Sequence, residues 1–353
     1  QDVAEKTIFE YENIKGEALA VPVSNINPYL VDAPDLVLEK RNQPICIVPT
    51  ISYGSMANDD GHLLLDKEQR NALIAAEPAT APYIRRYMGA QEFLNNAERW
   101  CLWLKDISPS LMRSSNELRH RIEAVRKFRA SSNREATRNL AATPSLFGED
   151  RQPLKSYLLL PKVSSENRPY MPIGFMPSEV IANGSALTIS DSGHYEMGVL
   201  QSKMHMAWMR AVAGRMKSDY QYSAQIVYNN FPWPDLPEKL EPNQPQTPTH
   251  KAQTAIEKAA QAVLDARAQF PGSSLADLYD PLTMPPALLK AHQKLDAAVD
   301  AAYALVGGKK TWKNDAERVA FLFERYQHLT SLLPAVKGKG KEKTKGKAGR
   351  KQA

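Results

Sequence analysis

The stretch Leu236-Pro237-Glu238-Lys239-Leu240-Glu241-Pro242-Asn243-Gln244-Pro245-Gln246-Thr247-Pro248-Thr249-His250 decides how the chain divides. Its prolines fix φ and withhold a backbone donor, so it suits neither a helix nor a central strand, and the polar residues between them have little to bury. The run reads as a Pro-rich linker, residues 236–250. Downstream the apolar spacing is helical: Ile256, Ala259, Ala260, Val263 and Leu264; then Leu288, Leu289, His292, Leu295, Ala298, Val299 and Tyr303; then Val319, Ala320, Leu322, Phe323 and Tyr326. Steps of three and four predict a small all-α domain over 251–333, its last helix opened by Asn314 and Glu317 in the manner of a capping box.

Upstream the pattern is mixed. Leu118, Ile122, Val125 and Phe128 form one helical face, with Arg119, Arg121, Arg126, Arg129, Arg134 and Arg138 on the others. Trp100–Leu104, Tyr157–Val163 and Ala186–Ile189 read as strands broken by Pro and Gly, and Val199 to Met216 returns to helical spacing. The expected fold class is α+β, a mixed domain followed by the all-α one. Residues 334–353, rich in Lys and Gly, have no apolar side chains to offset the entropy of ordering and are expected to form a disordered basic tail.

The charge is unevenly spread over the 353 residues. The net +6 is owed to residues 337–353, where eight Lys/Arg meet one Glu, while the rest of the chain sums to −1. Within that body, residues 85–168 carry 16 Lys/Arg against 9 Asp/Glu, a bounded basic segment able to steer a polyanion. No run of apolar residues is long enough for a membrane helix, and no signal pattern opens the chain. Cys46 and Cys101 are too few for a disulfide framework or a cysteine zinc site, as in a reducing compartment. The expectation is a cytoplasmic protein with no membrane partner. Gln1 at the start is read as the continuation of a longer product.

Several lookalikes of chemical motifs fall short. Asn27-Pro28-Tyr29 lacks one proline of the Asn-Pro-Pro-Tyr loop that holds a flipped adenine, and no glycine-rich loop precedes it. Gly307-Gly308-Lys309-Lys310-Thr311 lacks the spacing of a phosphate loop, and the seven histidines show no ligand spacing. No catalytic residue and no metal ligand is assigned. More telling is Gly214-Arg215-Met216-Lys217-Ser218-Asp219-Tyr220-Gln221-Tyr222-Ser223, where cations, hydroxyls and phenols interleave directly after a helix. Such a mixture suits phosphate oxygens, and equally a connection whose tyrosines pack in the core. Tyr228–Pro234 reads either as a polar-aromatic surface or as a packed plug.

These runs, with Arg99-Trp100-Cys101-Leu102-Trp103-Leu104, Thr143-Pro144-Ser145-Leu146-Phe147-Gly148-Glu149, Val163-Ser164-Ser165-Glu166-Asn167-Arg168 and Met204-His205-Met206-Ala207-Trp208, resemble the MmeI-like family of single-chain restriction–modification enzymes. The resemblance covers about 1–330. It implies a trailing edge of a methyltransferase domain over 1–24, a DNA target recognition domain over 25–235, and the family's terminal helices over 251–333. It implies double-stranded DNA as partner, together with the methyltransferase domain of the same enzyme. S-adenosylmethionine would belong to that domain, and no cofactor to this chain. The alternative is an interaction or scaffold module without DNA specificity.

Arg168, Arg210, Arg215, Lys217, Tyr220 and Tyr222 are the expected contacts to the DNA backbone. For base reading, Gly193-His194-Tyr195-Glu196-Met197-Gly198 is read as a strand presenting His194 and Glu196 on one face. Glu196 there accepts from a cytosine amino group, and Lys162 on another strand donates to guanine.

Overall fold

The structure is a computed structural model that describes residues 6–11, 16–235 and 245–331. The expected tail and most of the proline run lie outside the described residues. The last part of that run is helical: Pro248 is the first residue of the Pro248–Ala268 helix, where its missing N–H costs nothing, and Thr247 Oγ1 caps the end by accepting from His250 N.

Three strand assemblies follow a hairpin of Lys6–Tyr11 with Ala18–Val23. The first sheet runs Ile181–Ala182, Ile84–Met88, Trp100–Leu102, Leu64–Leu65, and the second Ile51–Tyr53, Ala186–Ser190, Tyr157–Pro161, Gly174–Met176. Tyr157–Pro161 is buried at every position, which is why it reads as an unbroken apolar run. A third, three-stranded sheet joins Gly214–Met216, Asp219–Gln221 and Val163–Ser164, all antiparallel. Lys162 lies where the second sheet hands over to the third: its amide donates to Ser185 O and its carbonyl accepts from Tyr222 N.

The stretch expected as one helix from Val199 is two, His194–Leu200 and Lys203–Val212, and Gly214–Met216 has left helix for strand. The break has a local cause, because Ser202 accepts from His205 N through its side chain and so starts a new helix. The strand expected over 193–198 is also helix. Gly193 N donates to Glu196 Oε2 at 2.7 Å, closing the N-terminal turn. Tyr195, Met197, Gly198, Val199 and Leu200 are all buried. Gly198 lets the Pro248–Ala268 helix come close, since a Cβ there would lie 2.7 Å from Ile256 Cγ2.

The two halves share one core. The largest apolar cluster runs from Leu158, Leu187 and Trp208 into Ile256, Leu295 and Phe323 without a break. Trp208 meets Phe323 at 5.2 Å between ring centroids, and Tyr29 meets it at 5.1 Å. Polar bonds cross the same boundary: Tyr170 Oη donates to Asp296 Oδ2 at 2.7 Å, and Lys203 N to Asp296 Oδ1 at 2.7 Å. Asn314 Oδ1 accepts from Glu317 N as the capping pattern requires, but Glu317 returns to Lys313 N. Among the described residues no helix is long and apolar enough to cross a membrane.

Candidate nucleic-acid interface

Of the segments singled out for phosphate chemistry, the third sheet is the one that stays at the surface. Gly214–Met216 is exposed throughout and turns back on itself at Lys217-Ser218 to pair Met216 with Asp219. Lys217 holds φ at +57°, in the left-handed region that such a tight turn demands, and its side chain is exposed at the tip. Arg215 lies over the Tyr220 ring at 3.9 Å and donates to Ser218 O at 2.7 Å, with Glu166 Oε2 at 3.8 Å. The cation is thus held in place on an open strand with 43% of its side chain accessible. Tyr220 forms the floor beneath it, 5% exposed.

Lys162 and Arg168 stand at the two ends of the segment that pairs with this hairpin. Lys162 Nζ lies 5.3 Å from the centre of the Tyr53 ring. Arg168 is half-buried; desolvation pulls its guanidinium below the ordinary value, with Asp219 and Asp280 acting in the opposite direction. Glu166 faces Arg215 and not Arg168. Tyr53 was not legible as part of this surface. It lies 109 positions before Lys162 in sequence, and only the strand order of the second sheet brings the two together.

The remaining candidates are placed elsewhere. Tyr222 is wholly buried, and its hydroxyl pairs with His205 Nε2 at 2.9 Å, so it presents no surface to a ligand. Arg210 Nη1 donates to Asp315 Oδ2 at 2.6 Å and ties the Lys203–Val212 helix to the last helix, Asp315–Ser331. Glu196 is occupied by the turn it caps, and the half-buried His194 ring packs against Phe175 at 5.1 Å. The sheet therefore gathers Lys162, Arg168, Arg215, Lys217 and Tyr220, and leaves out His194, Glu196, Arg210 and Tyr222. Tyr228–Pro234 is a plug: Tyr228, Phe231 and Trp233 are buried, and Asn230 Nδ2 donates to the carbonyls of Glu39, Gln225 and Ile226.

Asn27-Pro28-Tyr29 does not fit a methyl-donor or adenine site. Asn27 Oδ1 accepts from the amides of Tyr29 and Val31, and Tyr29 Oη accepts from Leu38 N, so both oxygens are engaged by nearby backbone. Among the described residues no cluster of His, Cys, Asp and Glu could hold a metal ion.

Residues 32–235 match the model of the MmeI target recognition domain, and residues 248–334 that of the MmeI C-terminal domain. DNA methyltransferase A of Bacillus subtilis (strain 168) is 37% identical over 308 residues, 87% of this chain and 33% of that protein. The solved structure of the Type IIL restriction-modification enzyme MmeI in complex with DNA matches with a TM-score of 0.82 and 46% identity, over 94% of this chain and 42% of that one. The chain thus spans about a third of the curated relative and under half of the solved one. With target-recognition and C-terminal models matched in succession, the chain belongs to the MmeI family.

Proposed function

We propose that this chain reads double-stranded DNA as the specificity part of an S-adenosylmethionine-dependent, adenine-specific DNA methyltransferase, methyl transfer being performed by a domain outside the sequence described. The observation that carries the reading is the Gly214–Gln221 hairpin, whose first strand and turn are exposed. A two-stranded ribbon is one of the few shapes that a major groove admits, and this one presents Lys217 at its tip and Arg215 on its flank. Tyr220 holds Arg215 by its ring face, and an arginine so positioned gives up little side-chain entropy on meeting a phosphate. Lys162, at the base of the same sheet, is assigned to base reading. Arg215 and Lys217 serve the backbone.

The test is an electrophoretic shift with mixed-sequence duplexes. Binding at about 50 mM salt that weakens steeply as salt rises is the expected result, because phosphate contacts release counterions. No binding at that salt overturns the reading. With a methyltransferase domain joined upstream, methylated sites can be mapped: Lys162→Ala should relax preference at one base pair at a cost of about 1–3 kcal/mol and leave the others intact.

A further inference from the structure

The basic segment that stands out in the sequence gives Lys162 and Arg168 to the hairpin sheet, but most of its cations lie elsewhere. Its densest stretch, residues 109–142, carries eight Lys/Arg and three Asp/Glu. It folds into the helices Pro109–Ser114, Asn116–Ala130 and Glu135–Asn139 and a closing turn, Leu140–Ala142. The Asn116–Ala130 helix buries Leu118, Ile122 and Val125 against Leu63, Leu65 and Leu102, a cluster separate from the core beneath Tyr220. Its opposite side faces water.

The acidic residues on this module are partly spent. Glu117 accepts from Arg121 Nε at 2.7 Å, and Glu123 lies 3.5 Å from Arg126 Nε. Arg113, Arg119, Lys127 and Arg134 are exposed, and among the described residues no acidic side chain lies within salt-bridge distance of any of them; Arg119 also donates to Ser115 O and Asn116 Oδ1 at the start of its helix. His120 and Lys127, seven apart, share one stripe of the helix, and Arg119 and Arg126 the next. Ser110, Ser114, Ser131 and Asn133 add exposed hydroxyl and amide groups at the helix ends. A surface that offers unpaired cations and hydroxyls, with Phe128 as an exposed apolar side chain among them, is complementary to a phosphate backbone.

We propose that this helical module is a second, sequence-independent contact with double-stranded DNA, holding the phosphate backbone apart from the bases that the hairpin sheet reads. The proposal rests on the DNA reading above. The module supplies affinity and steering; the sheet supplies preference.

The experiment uses the full chain and a triple variant, Arg119→Ala, Lys127→Ala and Arg134→Ala, with mixed-sequence duplex as the probe. Affinity is followed against salt, and the bound duplexes are sequenced. The expected result is a salt dependence shallower by about two to three units, since each lost phosphate contact counts for about 0.9. Affinity should fall about tenfold or more at low salt with the preferred sequences unchanged. A second variant, Arg119→Lys with Arg134→Lys, keeps the charge and should keep the slope. An unchanged slope in the folded triple variant overturns the proposal, and so does an altered preference. If the unmodified chain binds no duplex, the DNA reading itself fails. If it binds and the triple variant matches it, only the second contact fails.

Discussion

Arg129 and Arg215 carry the same side chain, and the molecule uses them in opposite ways. Arg129 is fully buried at the end of the Asn116–Ala130 helix, and its five N–H groups are all taken: Nε by Asn58 O, Nη1 by the carbonyls of Leu140 and Thr143, Nη2 by those of Ala57 and Leu146. It fastens two loops to a helix and has nothing left to offer. Arg215 makes one backbone bond and lies on a tyrosine face near Glu166, with 43% of its side chain accessible. A guanidinium is a structural cross-link where carbonyls saturate it and a ligand for polyanions where they do not. Net charge along a sequence counts both alike.

The sharpest way to break the comparison is Arg129→Ala. Five carbonyls lose their partner inside the fold, and stability should drop by about 4 kcal/mol in chemical denaturation. Arg129→Lys should not rescue it, since an ammonium has three donors and no planar fork. A small loss in either variant would mean that water or a neighbouring side chain takes over those carbonyls.

A pH titration sharpens the contrast between buried and open charges. Burial raises the Asp296 carboxyl to about 6 from its ordinary 3.8, so its contribution to stability is full below pH 3.8 and fades as pH rises through about 6. Burial lowers the His205 ring to about 3 from 6.5, and depresses His292 in the same direction, so their contribution is full above pH 6.5 and is lost on acidification. The histidines therefore destabilise the fold from pH 6.5 downward while Asp296 opposes them between 6 and 4. Asp296→Asn should steepen the acid-side loss, by on the order of 2 kcal/mol at pH 4 relative to pH 7. Parallel stability–pH curves for the two proteins would contradict this.

Lys217→Ala tests the open end of the comparison. The expected change is about one unit in the salt dependence of DNA binding, alike for all sequences, with the melting temperature unmoved. The smallest effect belongs to Glu196→Ala, which removes one helix cap and should cost about 1 kcal/mol of stability with DNA preference unchanged. A changed preference with unchanged stability would return Glu196 to the reading face.

The sequence by itself determined the elements whose cause is local. Threefold and fourfold spacing marked the C-terminal helices, and the strands at Trp100, Tyr157 and Ala186 were legible from short apolar runs bounded by breakers. Over His194–Gly198 the same apolar positions satisfy strand alternation and a nearly all-buried helix. Five residues cannot separate those periods, and packing against Ile256 decided for helix. Tertiary structure alone decided which polar groups reach water. Tyr220 and Tyr222 are two residues apart in an alternating segment, yet one supports a surface cation while the other bonds a buried histidine. Arg210 and Arg215 lie in adjoining elements, and only Arg210 meets an aspartate from the last helix. Solvent exposure is a sum over neighbours brought from distant parts of the chain, so composition could point to the Gly214–Ser223 segment while the fold chose the residues within it.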